Sequence, residues 1–105
     1  TYAWEFMHIN NEIAKGKKNV FDLVNYLKKQ DTSFKESAYR LSFVTNHDEN
    51  SWNGTEYERY GKAVRPFTVL AYTLAGMPLV YSGQEAGLNK RLKFFDKDSI
   101  DFSQL

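Results

Sequence analysis

The sequence predicts an α/β fold in which short strands alternate with helices and pair in parallel. Two short apolar segments, residues 39–45 and 79–81, have the composition of strands, and a stretch with helical character precedes each of them. The resulting order is helix, strand, loop, helix, strand. We therefore expect parallel strands joined by a right-handed crossover, because this alternation favours that topology.

A first helix is predicted over residues 20–29. Asn19 is its expected N-cap, with Asp22 near the helix start and Lys28 and Lys29 at the other end, which complements the helix dipole. Residues 2–14 are interpreted as a short helix or as a strand end leading into one, and residues 31–37 as a polar connection. The apolar positions of the first helix follow the i, i+3, i+4, i+7 spacing: Val20, Leu23, Val24 and Leu27.

A second helix is predicted before residue 76. Pro66 fits its first turn and Gly76 lies just past its end, an asymmetry typical of helices. If residues 58–65 are also helical, Pro66 is expected to kink that helix or to mark its start. Residues 49–61 are interpreted as a loop, 79–81 as a buried strand and 83–87 as a turn, whereas residues 89–105 are not assigned. The apolar stripe of the second helix consists of Phe67, Leu70, Ala71 and Leu74.

Composition excludes several classes of function. The net charge of +1 offers no electrostatic basis for binding nucleic acid or an anionic membrane. The chain contains no cysteine, which excludes disulfides, thiolate catalysis and thiolate metal sites. No run of about 18 apolar residues occurs, so no membrane span is predicted. Aromatic residues are frequent at 16%, and most of them are expected to fill the core.

The segment most suited to chemistry is residues 43–48, FVTNHD. It is an apolar strand that ends in Asn46, His47 and Asp48. Neighbouring side chains alternate faces on a strand, so His47 and Asp48 can converge only where the strand has ended. The carboxyl ends of parallel strands are the places where α/β sheets and barrels bind their substrates. The alternative is that Asp48 only caps the following turn.

Two segments together carry a family resemblance. Residues 43–48 resemble the seventh-strand motif of the α-amylase superfamily of glycoside hydrolases, and residues 76–85, GMPLVYSGQE, resemble its eighth-strand motif. The resemblance implies the C-terminal portion of a (β/α)8 TIM barrel that includes the seventh and eighth strands. A whole barrel takes about 250 residues. Residues 1–105 are therefore expected to be a partial catalytic barrel domain, and the start at Thr1 without an initiator Met suits a fragment of a longer parent.

The resemblance also assigns roles to single residues. Asp48 matches the family's transition-state-stabilising carboxylate, and His47 matches the histidine that binds the same sugar. Asn46 and Trp52 are candidate substrate-binding residues. Asn46 could instead form a turn through local hydrogen bonds, and Trp52 could either stack on a sugar or pack the loop down.

Five residues of the second motif are expected to be structural rather than catalytic. Gly83 should permit a φ that other residues resist. Glu85 should hydrogen-bond to a nearby Arg or to the backbone, because the family does not use this position as a catalytic carboxylate. The complete set is Gly76, Pro78, Tyr81, Gly83 and Glu85.

The implied activity is retaining hydrolysis of α-glucans such as starch and maltooligosaccharides. Such enzymes need a carboxylate nucleophile and a carboxylic general acid. The family's motifs for these two groups are not found here, so the chain is expected to be inactive alone. The alternatives are a catalytically silent amylase-like binding domain or ectodomain, a transglycosidase or α-1,6-glucosidase of the same superfamily, and an unrelated small α/β interaction module.

The expected partners are an α-glucan and the remainder of the parent barrel, with self-association of the fragment as a further expectation. No cofactor is evident in the sequence. No metal site is predicted, because the consecutive His47, Asp48 and Glu49 do not point at one ion and no cluster of oxygen ligands is recognisable. The resemblance allows calcium in the parent, and it suggests a secreted or periplasmic location.

Overall fold

The computed structural model describes residues 1–33, 39–103 and 105. Four α-helices lie in this part of the chain: α1 (Trp4–Ala14), α2 (Val20–Ser33), α3 (Glu56–Tyr60) and α4 (Val64–Thr73). Two strands, β1 (Leu41–Ser42) and β2 (Met77–Pro78), pair in parallel, with Leu41 opposite Met77 and Ser42 opposite Pro78. Shorter helical segments complete the order: a π-helix at Glu49–Asn53 and 3₁₀-helices at Gly61–Ala63 and Gln84–Ala86.

The parallel pairing expected from the alternating pattern is present. Tyr2 forms an additional parallel bridge with Leu41 on the other side of β1. The Leu41 amide donates to the Thr1 carbonyl at 2.8 Å, and the Ala3 amide donates to the Leu41 carbonyl at 2.9 Å. β1 therefore lies between two parallel neighbours.

The hydrophobic core lies between the helices and β1. Phe6 of α1 stacks on Tyr26 of α2 with ring centroids 6.0 Å apart. The aromatic Tyr60 and Phe67 pack at 5.3 Å and connect α3 with α4. Apolar burial of this kind is the main stabilising contribution to such a fold. The buried cluster comprises Ala3, Phe6, Ile9, Leu23, Tyr26, Val44, Tyr60, Val64 and Ala71.

The prediction for α2 was correct at its start and wrong at its end. Oδ1 of Asn19 accepts from the Phe21 amide at 2.9 Å, and the Asp22 carboxylate accepts from the Asn19 amide at 2.9 Å, which is a reciprocal cap. The helix continues to Ser33, so Lys28 and Lys29 lie in its interior. The rest of the predicted connection, residues 34–37, lies outside the described residues.

The buried face of α2 also differs from the expected stripe. Leu23 and Tyr26 are buried, whereas Val20 and Val24 are exposed. The i, i+3 pair of Leu23 and Tyr26 is the part of the helix that packs into the core, and Leu27 packs against it. Tertiary contact with α1 selected this face over the one that the apolar spacing indicated.

Neither strand has the bounds predicted for it. β1 covers only two of residues 39–45, and Tyr39 is exposed. The buried strand predicted at 79–81 was wrong, because β2 is Met77–Pro78 and both of its residues are exposed. Within the described residues β2 pairs on one edge only. Its apolar character suits a strand of a parallel sheet that is covered on both faces.

The loop predicted for residues 49–61 is largely helical. Thr55 caps α3: its Oγ1 accepts from the Glu58 amide at 3.1 Å, and the Glu58 carboxylate accepts from the Thr55 amide. This capping box was present in the sequence as Thr-x-x-Glu and should have indicated a helix start. α4 begins at Val64, so Pro66 lies in its first turn as expected, and a 3₁₀ segment rather than a kink separates it from α3.

Candidate active site

His47 and Asp48 project to the surface from a buried segment at the carboxyl end of β1. Residues 43–46 are buried, as are residues 49 and 50. The side chains of His47 and Asp48 are 49% and 41% exposed, and His47 Nε2 lies 3.5 Å from Asp48 Oδ2. The two side chains are neighbours because Asp48 has helical backbone angles (φ −76°, ψ −53°), so the alternation of the strand has ended. Apart from this contact, the Asp48 carboxylate has no partner among the described residues, which leaves it available to a ligand.

Asn46 shapes the turn that carries this pair. Its Oδ1 accepts from the amides of Asp48 at 3.1 Å and Glu49 at 2.9 Å, and its carbonyl accepts from the Asn50 amide at 2.9 Å. The side chain is completely buried. Asn46 therefore has the turn-forming geometry and lies beneath the surface on which a substrate would bind.

An aromatic surface lies beside the pair. The His47 ring lies near those of Tyr2 and Phe94, at centroid distances of 6.2 and 6.0 Å. Trp52, Phe94 and Phe95 form the adjoining aromatic surface, with Trp52 to Phe94 at 5.2 Å and Phe94 to Phe95 at 4.7 Å. Trp52 is 58% exposed and Phe95 is 84% exposed. Trp52 thus packs on Phe94 and still presents more than half of its surface.

The aromatic surface depends on hydrogen bonds between the π-helix and the chain beyond the second motif. Asn50 Nδ2 donates to the Lys90 carbonyl at 3.0 Å, and Asn50 Oδ1 accepts from the Leu92 amide at 2.7 Å. Ser51 Oγ donates to the Leu92 carbonyl at 2.7 Å. These bonds place Phe94 against His47. Phe94 and Phe95 were missed in the sequence, where the only signal was an adjacent aromatic pair within a stretch rich in charged residues.

Three residues of the second motif, Gly76, Pro78 and Gly83, lie where the backbone geometry suits their residue type. Gly76 has φ 131°, and a Cβ there would lie 2.8 Å from the Arg40 carbonyl oxygen. Gly83 has φ 84°, in the left-handed region that favours glycine. Pro78 lies between Met77 and Leu79, whose amides donate to the carbonyls of Arg40 and Ser42, so its missing N–H falls on the opposite edge.

Gln84 makes the hydrogen bond that was expected of Glu85. The Tyr81 amide donates to Gln84 Oε1 at 3.0 Å. Glu85 is exposed, and its carboxylate forms no hydrogen bond with any residue within 1–33, 39–103 or 105. The expected partner of Glu85, an Arg or a backbone group, is therefore not part of the described structure.

A small pocket lies next to the turn and is lined in part by polar side chains. Its lining includes Thr45, Glu56 and Gln84, and in each of them one buried polar atom has no hydrogen-bond partner among the described residues. Burial raises the pKa of Glu56 to about 7, and the nearby Arg59 opposes this shift. Glu56 is therefore a buried carboxyl group that titrates near neutral pH.

In the described part of the chain, no three His, Asp or Glu side chains lie close enough together to hold a metal ion. No helix within the same residues is long and apolar enough to cross a membrane.

Comparison with known proteins connects this geometry to a family. The model of the alpha-amylase catalytic domain matches residues 1–104. The crystal structure of an alpha-amylase from Lactobacillus plantarum is similar, with a TM-score of 0.78 and 26% sequence identity over 94% of this chain. The similarity covers 23% of that chain, so the present chain spans less than a quarter of its length. No curated protein sequence gives a significant match.

The fold is consequently one derived from a TIM barrel, of which the described residues form part of the sheet. The family match covers nearly every residue, including both segments that carry the sequence resemblance. The chain therefore belongs to the alpha-amylase catalytic-domain family.

Proposed function

We propose that this chain is the seventh- and eighth-strand part of a catalytic barrel that hydrolyses α-glucans with retention of configuration. The observation that carries the proposal is the exposed His47–Asp48 pair at the carboxyl end of β1, parallel to β2. Active sites of α/β barrels are built at this end of the strands. In this assignment β1 corresponds to the seventh strand and β2 to the eighth.

Asp48 acts in this proposal as the transition-state-stabilising carboxylate. Cleavage of a glycosidic bond develops positive charge on the sugar ring, and hydrogen bonds to ring hydroxyls strengthen as that charge grows. The Asp48 carboxylate is free to accept such bonds, and His47 Nε2 lies 3.5 Å away, where it can contact a neighbouring hydroxyl. His47 is thereby a substrate-binding residue, since a neutral imidazole both donates and accepts hydrogen bonds.

The aromatic surface extends the same site. Trp52 is more than half exposed and packs on Phe94, whose ring lies 6.0 Å from that of His47. Sugar rings have apolar faces that pack on aromatic rings while their hydroxyls hydrogen-bond to polar groups. We therefore assign to Trp52 the binding of a sugar ring adjacent to the one held by His47 and Asp48. Asn46 contributes to substrate binding indirectly, by stabilising the turn that carries His47 and Asp48.

The chain supplies only some of the groups that the reaction needs. A retaining glycosidase needs an acid and a nucleophile, and the family's motifs for both are missing from residues 1–105. Residues 1–105 alone are therefore proposed to be inactive, with turnover requiring the remainder of a catalytic domain. Calcium in that remainder and a secreted or periplasmic location belong to the same proposal.

The decisive experiment is Asp48→Asn in the catalytic domain that contains this chain. Turnover of a maltooligosaccharide should fall by at least about 1,000-fold, because losing a group that acts mainly on the transition state lowers kcat. Binding of a transition-state-like inhibitor should weaken more than binding of substrate. NMR of the first product formed should show the α-anomer.

The matched control is Asp22→Asn at the exposed start of α2, which should leave turnover unchanged. Near-native activity of Asp48→Asn would contradict the proposal. Glucan binding without any turnover in the unsubstituted domain would favour a silent binding domain. Transfer of the glycosyl group to another sugar in preference to water would favour a transglycosidase.

A further inference from the structure

The carboxyl end of β1 shows how the sheet opens beside His47 and Asp48. The Met77 amide donates to the Arg40 carbonyl at 2.9 Å, and the Leu79 amide donates to the Ser42 carbonyl at 2.8 Å. Bonds between parallel strands are evenly spaced, so the next pair in this register is the Val44 carbonyl with the Tyr81 amide. That bond is replaced. Gln84 Oε1 accepts from the Tyr81 amide at 3.0 Å, and Arg59 Nη2 donates to the Val44 carbonyl at 2.7 Å.

Arg59 Nη2 therefore donates the hydrogen bond to the Val44 carbonyl that the Tyr81 amide would donate in a continuous parallel pair. It reaches the Val44 carbonyl from α3, and the strands separate from this point on. The pocket lined by Thr45, Tyr81 and Gln84 lies in the opening. His47 and Asp48 follow directly, so their position depends on where the chain leaves the sheet.

The Arg59 guanidinium is bonded on every nitrogen. Nε donates to the Gly54 carbonyl at 3.1 Å, and Nη1 donates to Asn11 Oδ1 at 3.2 Å, in addition to the bond from Nη2. The residue is buried. An uncompensated buried charge is costly, so a buried arginine needs such a complete set of partners.

Arg59 also contacts the residue on the other side of the pair. Glu49 Oε2 lies 3.9 Å from Arg59 Nε, and Glu49 Oε1 accepts from Asn53 Nδ2 at 2.9 Å. One side chain thus bonds the carbonyl of Val44 and attracts the carboxylate of Glu49. The exposed His47 and Asp48 lie between these two positions, and Asn46 supports the turn from below.

We propose that Arg59 is a positioning residue for Asp48. It holds both ends of the segment 44–49 and so fixes the direction in which the Asp48 carboxylate points, without touching substrate itself. This inference rests on the proposed function. Displacing a catalytic group by about 1 Å can cost about 100-fold in rate, which sets the scale of the expected effect.

The test uses the catalytic domain that contains this chain, with a chromogenic maltooligosaccharide as substrate. Arg59→Met should lower kcat by about 100-fold while KM changes less than about threefold, because Asp48 acts on the transition state. Arg59→Lys should cause part of that loss in kcat, since the compact ammonium group of lysine cannot span the three separated acceptors that the planar guanidinium reaches. Arg91→Met is the matched control, because Arg91 pairs with Glu58 at 2.6 Å on the exposed side of α3. It should change kcat less than about twofold.

A double-mutant cycle separates positioning from a general loss of stability. In the Asp48→Asn background, Arg59→Met should cost less than about threefold, because the carboxylate that Arg59 positions is no longer there. Equal losses from Arg59→Met in both backgrounds would overturn the proposal. So would Arg59→Lys with unchanged kcat.

If Arg59→Met does not fold, Glu49→Gln replaces it in the same cycle. That substitution removes the charge facing Arg59 and should give a smaller loss that again disappears in the Asp48→Asn background. Additive losses from Glu49→Gln would overturn the proposal. Failure of Asp48→Asn to lower kcat would contradict the proposed function, whereas a large Asp48 effect with additive losses would reject only the role of Arg59.

Discussion

The Asp48 amide donates a hydrogen bond of 3.1 Å to Oδ1 of Asn46, a side chain that is completely buried. The same oxygen accepts from the Glu49 amide, so one buried amide group satisfies two backbone donors where a helical turn begins. The exposed candidate carboxylate therefore rests on an interior hydrogen bond, and stability and activity are coupled at this point.

Asn46→Ala should lower the free energy of unfolding by about 1–2 kcal/mol, because two amides lose their acceptor at a helix start. Urea unfolding of the catalytic domain that contains this chain measures the change, and kcat should fall with it. Asn25→Ala, at an exposed position in α2, is the matched control and should leave stability within about 0.5 kcal/mol. Equal stability of the two variants would show that Asn46 does not support the turn.

Trp52→Ala should raise KM for maltooligosaccharides by about 3–10-fold with little change in kcat, because an aromatic contact contributes about 0.5–1.5 kcal/mol. Phe94→Ala should act in the same direction, since Phe94 supports both Trp52 and His47. Steady-state kinetics test this, with exposed Phe102→Ala as the control. A lowered melting temperature with unchanged KM would instead indicate that Trp52 only packs the loop.

Glu56 should make stability depend on pH. Its pKa is raised from 4.5 to about 7 by burial, so the folded state binds a proton that the unfolded state has released. The resulting stabilisation is fully present below pH 4.5 and is lost as the pH rises through 7. Urea unfolding between pH 5 and pH 8 should show stability falling with pH. Glu56→Gln should flatten that slope.

Glu58→Gln is the matched control for this slope. Glu58 is on the same helix, and its pKa is lowered, chiefly by its hydrogen bond with Arg91. Its contribution is present above its unfolded pKa and is lost only as the pH falls below that range. The slope between pH 5 and pH 8 should therefore survive in Glu58→Gln. A slope that persists in Glu56→Gln would assign the pH dependence to another group.

The 105-residue chain by itself should self-associate. Met77 and Val80 are 56% and 54% exposed, and β2 has a free edge within the described residues. Exposed apolar surface and unpaired strand edges favour association. Sedimentation velocity should show oligomers, and the double substitution Met77→Gln with Val80→Thr should shift them towards monomer. A monomer that unfolds cooperatively without these substitutions would contradict the expectation.

The family resemblance and the local sequence patterns located the candidate site and the start of α2. Residues 43–48 identified the end of β1, and the reciprocal cap of Asn19 with Asp22 identified the start of α2. Those signals are local, because a cap or a strand end involves residues close together in the chain. The π-helix and α3 were missed, although the Thr55–Glu58 capping box was a local signal that could have revealed α3.

By itself, the sequence determined the family, the parallel α/β character and the His47–Asp48 pair, because each is encoded by residues that are adjacent or regularly spaced. Only the tertiary structure decided that Phe94 lies against His47, that Arg59 replaces a strand bond at Val44, and that Gln84 rather than Glu85 bonds Tyr81. The first two contacts join segments far apart in the chain, so no local pattern predicts them. Each contact depends on the directions in which the packed helices and strands point their side chains.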